Sequence, residues 1–465
     1  MNRVSIVVGF LFLASGSATG QESLVNFSHL RHLTERIAFD GDSVSVVHVY
    51  ANYPDYHWTD AKESGPEGIA CVDDAARAAV LYLRHFETTG DGRSLAAAKD
   101  LLAFVLKMQA DDGEFYNFIR ADRSVNRDGE TSRKSFGWWA ARGVWSMGIG
   151  YRILRDRDPK FAGRLRTGID RAIPHVTTIL QRYGEMDSIG SYRVPRWLLY
   201  ESAADATSEL ALGLIESFSA TEHAGVKKAI EQLGDGFVVM QDGDASGFPY
   251  GMHRSWRTMW HMWGNSQSSV LASAGRLFRN ARFLRSAERE AVGFYSRLLI
   301  QGYRKEIDVA APEDQKTFEQ IAYCVRPMTL ALIGLYEATK KPKYLIMAGL
   351  SASWLFGNNA AGVPMYDPVT GRCFDGIQDS TTVNKNAGAE STIEALMTLV
   401  ELERFPRAVR VARYRITGRG ETGDLLYGFF NASGEEEIAL ALDIKTSTLR
   451  VMEGKESALF RESLR

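Results

Sequence analysis

The sequence predicts a mainly α-helical fold, an (α/α)6 toroid of six helical hairpins with a small C-terminal β appendage. The main observation is a sixfold repeat, in which a loop rich in glycine, aromatic and charged residues leads into a helix of small residues. Successive helix starts are 71, 61, 62, 61 and 61 residues apart. Such an interval holds one further helix and a return loop, so the repeating unit is a hairpin. The six helices are predicted to begin near Cys71, Arg142, Ala203, Asn265, Arg326 and Ala387.

The first repeat shows how one hairpin is encoded. Asp73 and Asp74 suit a helix start, because acidic side chains oppose the positive end of the helix dipole. Small apolar residues then recur at helical spacing as far as Leu83, which is typical of an amphipathic helix. The TGDG segment at residues 89–92 ends this helix, and a second helix is predicted over residues 94–109.

The two helices of each hairpin differ in composition. The first is dense in Ala, Gly and Ser, as in residues 203–219 and 387–403. Small side chains allow helix axes to approach closely, so these helices are predicted to form the inner ring. The more charged helices then form the outer ring, and residues 24–37 are predicted to supply its sixth member. The barrel accordingly covers residues 21–405.

Both ends of the chain lie outside this repeat. Residues 406–465 lose helical periodicity and contain β-type runs at residues 409–414 and 425–430, which predict a small β-rich region. An irregular tail packed on the barrel is the alternative. Residues 1–20 resemble a signal peptide, with Arg3 before an apolar run and small residues at 17–20. We therefore expect an exported protein, periplasmic or secreted, without stable membrane insertion after cleavage; an uncleaved anchor is the alternative.

Composition limits the classes of partner. The chain has 465 residues and a formal net charge of -2, with no basic cluster for nucleic acid. A neutral or weakly charged carbohydrate is the expected partner, and the sequence leaves the oligomeric state open. The three cysteines, Cys71, Cys324 and Cys373, leave at least one thiol unpaired within the chain. A disulfide bond between Cys324 and Cys373 is an alternative if the protein reaches an oxidising compartment.

The loops that enter the inner helices carry the candidate substrate-binding residues. They combine aromatic rings, which pack on the C–H faces of sugars, with side chains that hydrogen-bond hydroxyl groups. Packing of these rings onto the toroid is the alternative interpretation. The predicted substrate-binding residues are His57, Trp58, Tyr116, Asn117, Arg120, Trp138, Trp139, Arg142, His253, Trp256, Trp260 and Asn265.

Glycoside hydrolysis requires two carboxyl groups, one as acid and one as base or nucleophile. Asp73, Asp74 and Glu390 are the leading catalytic candidates, because the first and last inner helices become neighbours when the ring closes. Glu130 lies in the next loop and completes the set. Helix capping is the alternative role for each of these acids. We expect no metal and no cofactor, since His253 and His261 do not have the spacing of a helical ligand pair.

Three segments resemble bacterial six-hairpin glycosidase-like proteins: GIACVDDAARA at residues 68–78, DGEFYNF at 112–118 and NAGAESTIEAL at 386–396. The resemblance covers most of residues 45–405. It implies an (α/α)6 barrel and carbohydrate chemistry, frequently inverting hydrolysis, although the group also includes lyases and epimerases. It further implies that Asp73, Asp74, Glu130 and Glu390 line a pocket. The TSRK segment after Glu130 departs from the acidic loop that the resemblance leads us to expect.

The sequence therefore predicts an exported glycoside hydrolase that acts on an oligo- or polysaccharide by carboxylate acid/base catalysis with inversion. A polysaccharide lyase is the first alternative, with a Tyr or His base and an Arg or Asn that neutralises a uronate. A glycan-binding protein that has lost its chemistry is the second.

Overall fold

The computed structural model describes residues 23–62 and 67–464. The predicted signal peptide, residues 1–20, lies outside the described residues. No helix in the described part of the chain is long and apolar enough to cross a membrane. The helices are α1 (Ser28–Leu33), α2 (Val72–Thr89), α3 (Gly92–Met108), α4 (Trp138–Leu154), α5 (Pro159–Leu180), α6 (Ala204–Thr221), α7 (Ala224–Val239), α8 (Gln267–Leu277), α9 (Ala281–Glu290), α10 (Ser296–Gln301), α11 (Val325–Thr339), α12 (Lys343–Ala352), α13 (Ala389–Glu403), α14 (Pro406–Val411) and α15 (Lys455–Ser463).

Six of these helices form the predicted inner ring. Helices α2, α4, α6, α8, α11 and α13 contact one another in that order, and α13 returns to contact α2. The (α/α)6 toroid is therefore confirmed. Five of the six starts fall within two residues of the predicted positions, while α4 begins at Trp138 rather than near Arg142.

Glycine allows the closest approach in this ring. A Cβ atom added at Gly148 of α4 would lie 2.4 Å from the carbonyl oxygen of Gly213 on α6. A Cβ atom at Gly213 would meet the backbone of Trp145 at 2.6 Å. Both distances are well below van der Waals contact, so side chains larger than hydrogen do not fit between these two helices.

The outer ring is regular except where the ring closes. Helices α3, α5, α7 and α12 pack outside their inner partners, and α9 continues through a π-helical turn into α10. The prediction of one outer helix over residues 24–37 is wrong in its extent, although α1 lies within this segment and contacts α13 as expected. Helix α1 ends at Leu33, and residues 34–39 form a strand that turns back through Asp40 and Gly41, with φ of +47° and +78°. Two consecutive positive φ values are typical of a tight hairpin turn.

Short antiparallel strands line the ring entrance, and longer ones build the C-terminal region. They are β1 (Thr34–Phe39), β2 (Asp42–Val47), β3 (Tyr50–Asn52), β4 (His57–Thr59), β5 (Ala70–Cys71), β6 (Phe118–Ile119), β7 (Met186–Ile189), β8 (Tyr192–Pro195), β9 (Met259–His261), β10 (Glu306–Asp308), β11 (Gln320–Ile321), β12 (Tyr366–Asp367), β13 (Arg372–Cys373), β14 (Gly376–Ile377), β15 (Val383–Asn384), β16 (Arg415–Thr422), β17 (Leu425–Asn431), β18 (Ile438–Asp443) and β19 (Thr448–Glu453).

The C-terminal β appendage is a four-stranded antiparallel sheet in the order β16-β17-β18-β19. The predicted strand at residues 425–430 is present as β17. The predicted strand at residues 409–414 is wrong, because residues 409–411 belong to α14 and residues 412–414 form the connection to β16. Pro406 occupies the first turn of α14, where its missing N–H costs no hydrogen bond. Residues Phe430 and Leu440 of the sheet belong to the same hydrophobic core as the barrel.

Candidate active-site cleft

A cleft of about 350 Å³ opens at the end of the ring where the inner helices begin. Its walls come from the starts of α4 and α13 and from the segments before α8, β10 and α11. This placement follows from the repeat, since loops at equivalent positions meet at one end of the toroid. The residues that line the cleft are Trp138, Arg142, Trp263, Lys305, Glu319, Ile321, Tyr323 and Glu390.

Arg77 of α2 joins the first and last inner helices beneath this cleft. Its guanidinium group donates to Asp74 at 2.8 Å, to Glu390 at 3.1 Å and to Glu394 at 2.9 Å. The side chains of Asp74 and Glu394 are 3% and 0% exposed, whereas that of Glu390 is 46% exposed. Glu390 is therefore the one member of this group that both binds Arg77 and faces the cleft.

Arg142 of α4 forms a second ion pair at the cleft. It donates to the Asp73 carboxylate at 2.8 Å and to the Tyr323 hydroxyl oxygen at 2.9 Å. Asn117 donates to the other carboxylate oxygen of Asp73 at 3.0 Å. Because both oxygens of Asp73 accept hydrogen bonds, the carboxylate is held in one orientation.

Arg326 of α11 completes the network. It donates to Glu394 at 2.5 Å, to Glu209 of α6 at 2.7 Å and to the Tyr323 hydroxyl oxygen at 3.1 Å. Ser266, which precedes α8, also donates to Glu209 at 3.1 Å. One connected polar network thus lies at the ring entrance. Five of the inner helices contribute a side chain to it, and Ser266, the residue before α8, contributes for the sixth.

Burial shifts the ionisation of the carboxyl groups in this network. It raises the pKa of Asp74 to about 6, although the nearby Arg77 opposes the shift. Burial also raises the pKa of Glu394. It acts in the same direction on Glu209, but Arg326 and Arg142 together hold that pKa below its usual value. Five carboxyl groups therefore surround three guanidinium groups, and burial raises the pKa of two of the five.

Two tryptophans contribute aromatic surfaces to the cleft. The ring of Trp138 lies 4.9 Å from the guanidinium carbon of Arg142. The ring of Trp263 stacks on His261, with 4.0 Å between the ring centroids. His261 Nε2 in turn lies 2.8 Å from an Asp205 carboxylate oxygen. The N–H at Nε2 donates to Asp205, and Nδ1 finds no hydrogen-bond partner in the described part of the chain.

The structure brings five of the predicted site residues together. Trp138, Arg142 and Glu390 line the cleft, and Asp73 and Asn117 bind each other beside it. Asp74, also a predicted catalytic acid, lies behind Arg77 with a buried side chain, so its contact with a substrate is indirect.

Other predicted residues are buried away from the cleft lining. Trp139 donates from its indole to the Phe115 carbonyl oxygen, and Trp260 packs its ring edge against Phe294. His253 pairs with Glu290 at 2.9 Å, and its side chain is 1% exposed. Asn265 accepts a hydrogen bond from Ser255. These contacts satisfy or cover each side chain within the protein, which fits the packing alternative.

The remaining predicted residues are at least partly exposed but do not line the described cleft. His57, Trp256 and Glu130 are exposed. Trp58 stacks on His48 at 3.8 Å, and Tyr116 contacts Arg127. Arg120 lies near Asp128 at 3.5 Å.

Several cleft residues were missed in the sequence. Glu319 and Tyr323 lie just before α11, and Lys305 lies before β10. The repeat could have predicted these residues, because it places the loop before Arg326 at the same ring entrance as the loops before the other inner helices. That loop contains fewer aromatic residues than the loop before α8, and composition alone therefore did not select it.

The cysteines and metal-ligating side chains form no further site in the part of the chain that is described. Cys71, Cys324 and Cys373 are buried free thiols. Among residues 23–62 and 67–464, no three His, Cys, Asp or Glu side chains are arranged to hold a metal ion.

The closed ring of six hairpins is an (α/α)6-barrel fold, which the resemblance to six-hairpin glycosidase-like proteins implied. The sequence matches no protein-family model, and no curated protein matches it. Among solved structures, it is similar to cellobiose 2-epimerase from Bacillus thermoamylovorans B4167, with a TM-score of 0.55, 12% identity, and coverage of 81% of this chain and 95% of that one.

Two further solved structures share the fold. A D-mannose isomerase gives a TM-score of 0.54 at 10% identity, and a sugar epimerase from a ruminal bacterium gives 0.51 at 12% identity. Each comparison covers 77% of this chain and 92% of the other chain.

Proposed function

We propose that this protein is a carbohydrate-active enzyme, and specifically a glycoside hydrolase. The observation that carries the proposal is that two carboxylic acids, Glu319 and Glu390, line one cleft together with Trp138 and Trp263. Tryptophan rings suit the apolar faces of sugar rings. A pair of carboxyl groups facing the bound sugar supplies the acid and the base that hydrolysis requires.

The surroundings of the two acids favour different roles. Glu390 accepts hydrogen bonds from Arg77 at 3.1 and 3.2 Å, which hold one carboxylate oxygen in place while the side chain faces the cleft. We assign Glu390 as the base that removes a proton from the attacking water. Glu319 has no Lys, Arg or His partner within 4.0 Å in the described part of the chain. We assign it as the acid that protonates the glycosidic oxygen, with inversion at the anomeric carbon.

The charge of the network favours a neutral glycan over a uronate. Five carboxyl groups surround Arg77, Arg142 and Arg326, and each of these arginines already binds carboxylates of the protein. A lyase requires cationic or amide groups that are free to neutralise the substrate carboxylate. The three arginines are therefore not free for this role, and a lyase would have to use Lys305, a cationic residue of the cleft lining.

The decisive experiment is amide substitution at each acid. Glu319→Gln and Glu390→Gln should each lower the release of reducing ends from a panel of neutral glycans by about 100-fold or more, while Glu130→Gln stays near wild type. NMR that identifies which anomer is released first tests whether the reaction inverts the anomeric carbon. Near-wild-type rates in both cleft variants would refute the assignment of these acids.

A second candidate function is sugar isomerisation or epimerisation. It is favoured by the Asp205–His261 pair, in which Asp205 holds the imidazole and Nδ1, beside Trp263, has no hydrogen-bond partner among the described residues. An oriented imidazole suits proton transfer at a carbon next to a carbonyl group. The names of the solved structures with this fold point the same way. Incubation with cellobiose or mannose would then give an isomeric sugar without hydrolysis, and His261→Gln would abolish its formation.

Export is a separate proposal that rests on residues 1–20 of the sequence. Fractionation of cells that produce the full chain should place the protein outside the cytoplasm, with residue 21 at its new N-terminus. Recovery of the uncleaved chain in the cytoplasm would refute it.

A further inference from the structure

Tyr323 lies where three arginines converge at the cleft. Its ring centroid is 5.1 Å from the guanidinium carbon of Arg77, 5.6 Å from that of Arg142 and 5.1 Å from that of Arg326. The residue is 2% exposed, yet it forms part of the cleft lining. Packing by three cations fixes the ring, so the direction of its hydroxyl group is fixed as well.

The hydroxyl oxygen is already used as an acceptor. Arg142 donates to it at 2.9 Å and Arg326 at 3.1 Å. Guanidinium groups only donate hydrogen bonds, and a phenol oxygen has room for about two donors. The remaining capacity of Tyr323 is therefore its own hydrogen, which has no acceptor in the described part of the chain.

This hydrogen stays on the oxygen at neutral pH. Burial raises the pKa of Tyr323 well above its usual value, and the pull of Arg142 in the other direction does not overcome it. A buried donor without an acceptor costs free energy. A ligand oxygen in the cleft would remove this cost.

We propose that Tyr323 contacts the substrate directly and donates its phenol hydrogen to a sugar oxygen, while Arg142 and Arg326 act as positioning residues for the phenol. The inference rests on the proposed function, because it assumes that a sugar occupies the cleft. It adds a neutral donor to the cleft that Trp138, Trp263, Glu319 and Glu390 line. It also gives the two arginines a role beyond their ion pairs.

The test compares Tyr323→Phe with Tyr303→Phe. Tyr303 is also buried, but its hydroxyl donates to Ser351 at 3.4 Å and it does not line the cleft. Binding of neutral oligosaccharides is measured by calorimetry in the Glu390→Gln background, so that turnover does not interfere. We expect Tyr323→Phe to weaken binding by about tenfold, and Tyr303→Phe to leave it unchanged. Equal affinities for all three proteins would overturn the inference.

A second measurement covers the case in which Tyr323→Phe fails to fold. Incorporation of 3-fluorotyrosine at position 323 keeps the ring shape but makes the hydroxyl a stronger donor, so binding should tighten. Unchanged binding would overturn the inference while leaving the proposed function in place. If the Glu390→Gln protein binds no oligosaccharide at all, both the inference and the proposed function are refuted.

Discussion

Arg77 Nη1 lies 3.1 Å from a carboxylate oxygen of Glu390, although 313 residues separate the two in the chain. The contact exists because α2 and α13 are neighbours where the ring closes. It links the ring closure to the cleft, since Glu390 lines the cleft and Arg77 also binds the buried Asp74 and Glu394.

Replacement of Arg77 should destabilise the protein strongly. Arg77→Met leaves the buried carboxyl groups of Asp74 and Glu394 without one of their cationic partners, with an expected cost of roughly 3–5 kcal/mol. Arg77→Lys should recover little of this, because one ammonium group does not reproduce the forked contacts. Urea unfolding measures both. Arg93→Met, which breaks an exposed pair with Asp91, is the control and should change the free energy of unfolding by less than about 1 kcal/mol.

Asp74 should make stability depend on pH. Burial raises its pKa from 3.8 to about 6, so the folded protein retains a proton that the unfolded chain has lost between these values. The contribution of this group to stability therefore falls as the pH rises through this window and is constant above it. The free energy of unfolding of the wild type relative to Asp74→Asn should be about 1.4 kcal/mol greater at pH 5 than at pH 8. The same difference at both pH values would contradict the shift.

Gly148 should not tolerate even a methyl group. Gly148→Ala would place a Cβ atom 2.4 Å from the Gly213 carbonyl oxygen, so α4 and α6 would have to separate, at a cost of roughly 1–3 kcal/mol. Gly163→Ala is a matched control within α5, where an added Cβ atom meets nothing within 4 Å. It should stabilise the protein by about 0.5–1 kcal/mol, because alanine favours the helix. Thermal unfolding of the two variants should therefore shift in opposite directions.

His29 should contribute to acid sensitivity at the ring closure. Its Nε2 donates to the Ala387 carbonyl oxygen at 2.9 Å, and burial lowers its pKa from 6.5 to about 4. The unfolded chain takes up a proton first as the pH falls, so stability is lost below about pH 6.5 and the loss ends near pH 4. By pH 5 the loss amounts to about 2 kcal/mol. His29→Gln keeps a donor but should remove this dependence, whereas His57→Gln at an exposed position should retain it; identical pH profiles would argue against His29 as the source.

The architecture was predictable because the sequence repeats one helical hairpin six times. Small residues at helical spacing returned at nearly constant intervals, and this periodicity does not depend on the details of any contact. The segment at residues 24–37 escaped prediction for a local reason. The turn at Asp40 and Gly41 pairs residues 34–39 with residues 42–47, and this pairing outweighs the helical pattern.

The candidate site was only partly predictable. Trp138 and Trp139 are adjacent in the sequence and both were expected to bind substrate, yet Trp138 lines the cleft and Trp139 is buried against Phe115. Successive residues of a helix point about 100° apart, so only one of the two can face the ring entrance. Composition identifies the residue type, but not its direction.

The sequence by itself determined the ring, the end at which its loops meet, and the proximity of Asp73, Asp74 and Glu390, because these follow from periodicity and helix order. Only the tertiary structure decided that Asp74 is buried behind Arg77 while Glu390 is half exposed. It also decided that Glu319 and Tyr323 join Glu390 on the cleft. The physical reason is that burial and side-chain direction depend on packing between helices that are distant in sequence, which a single chain pattern does not encode.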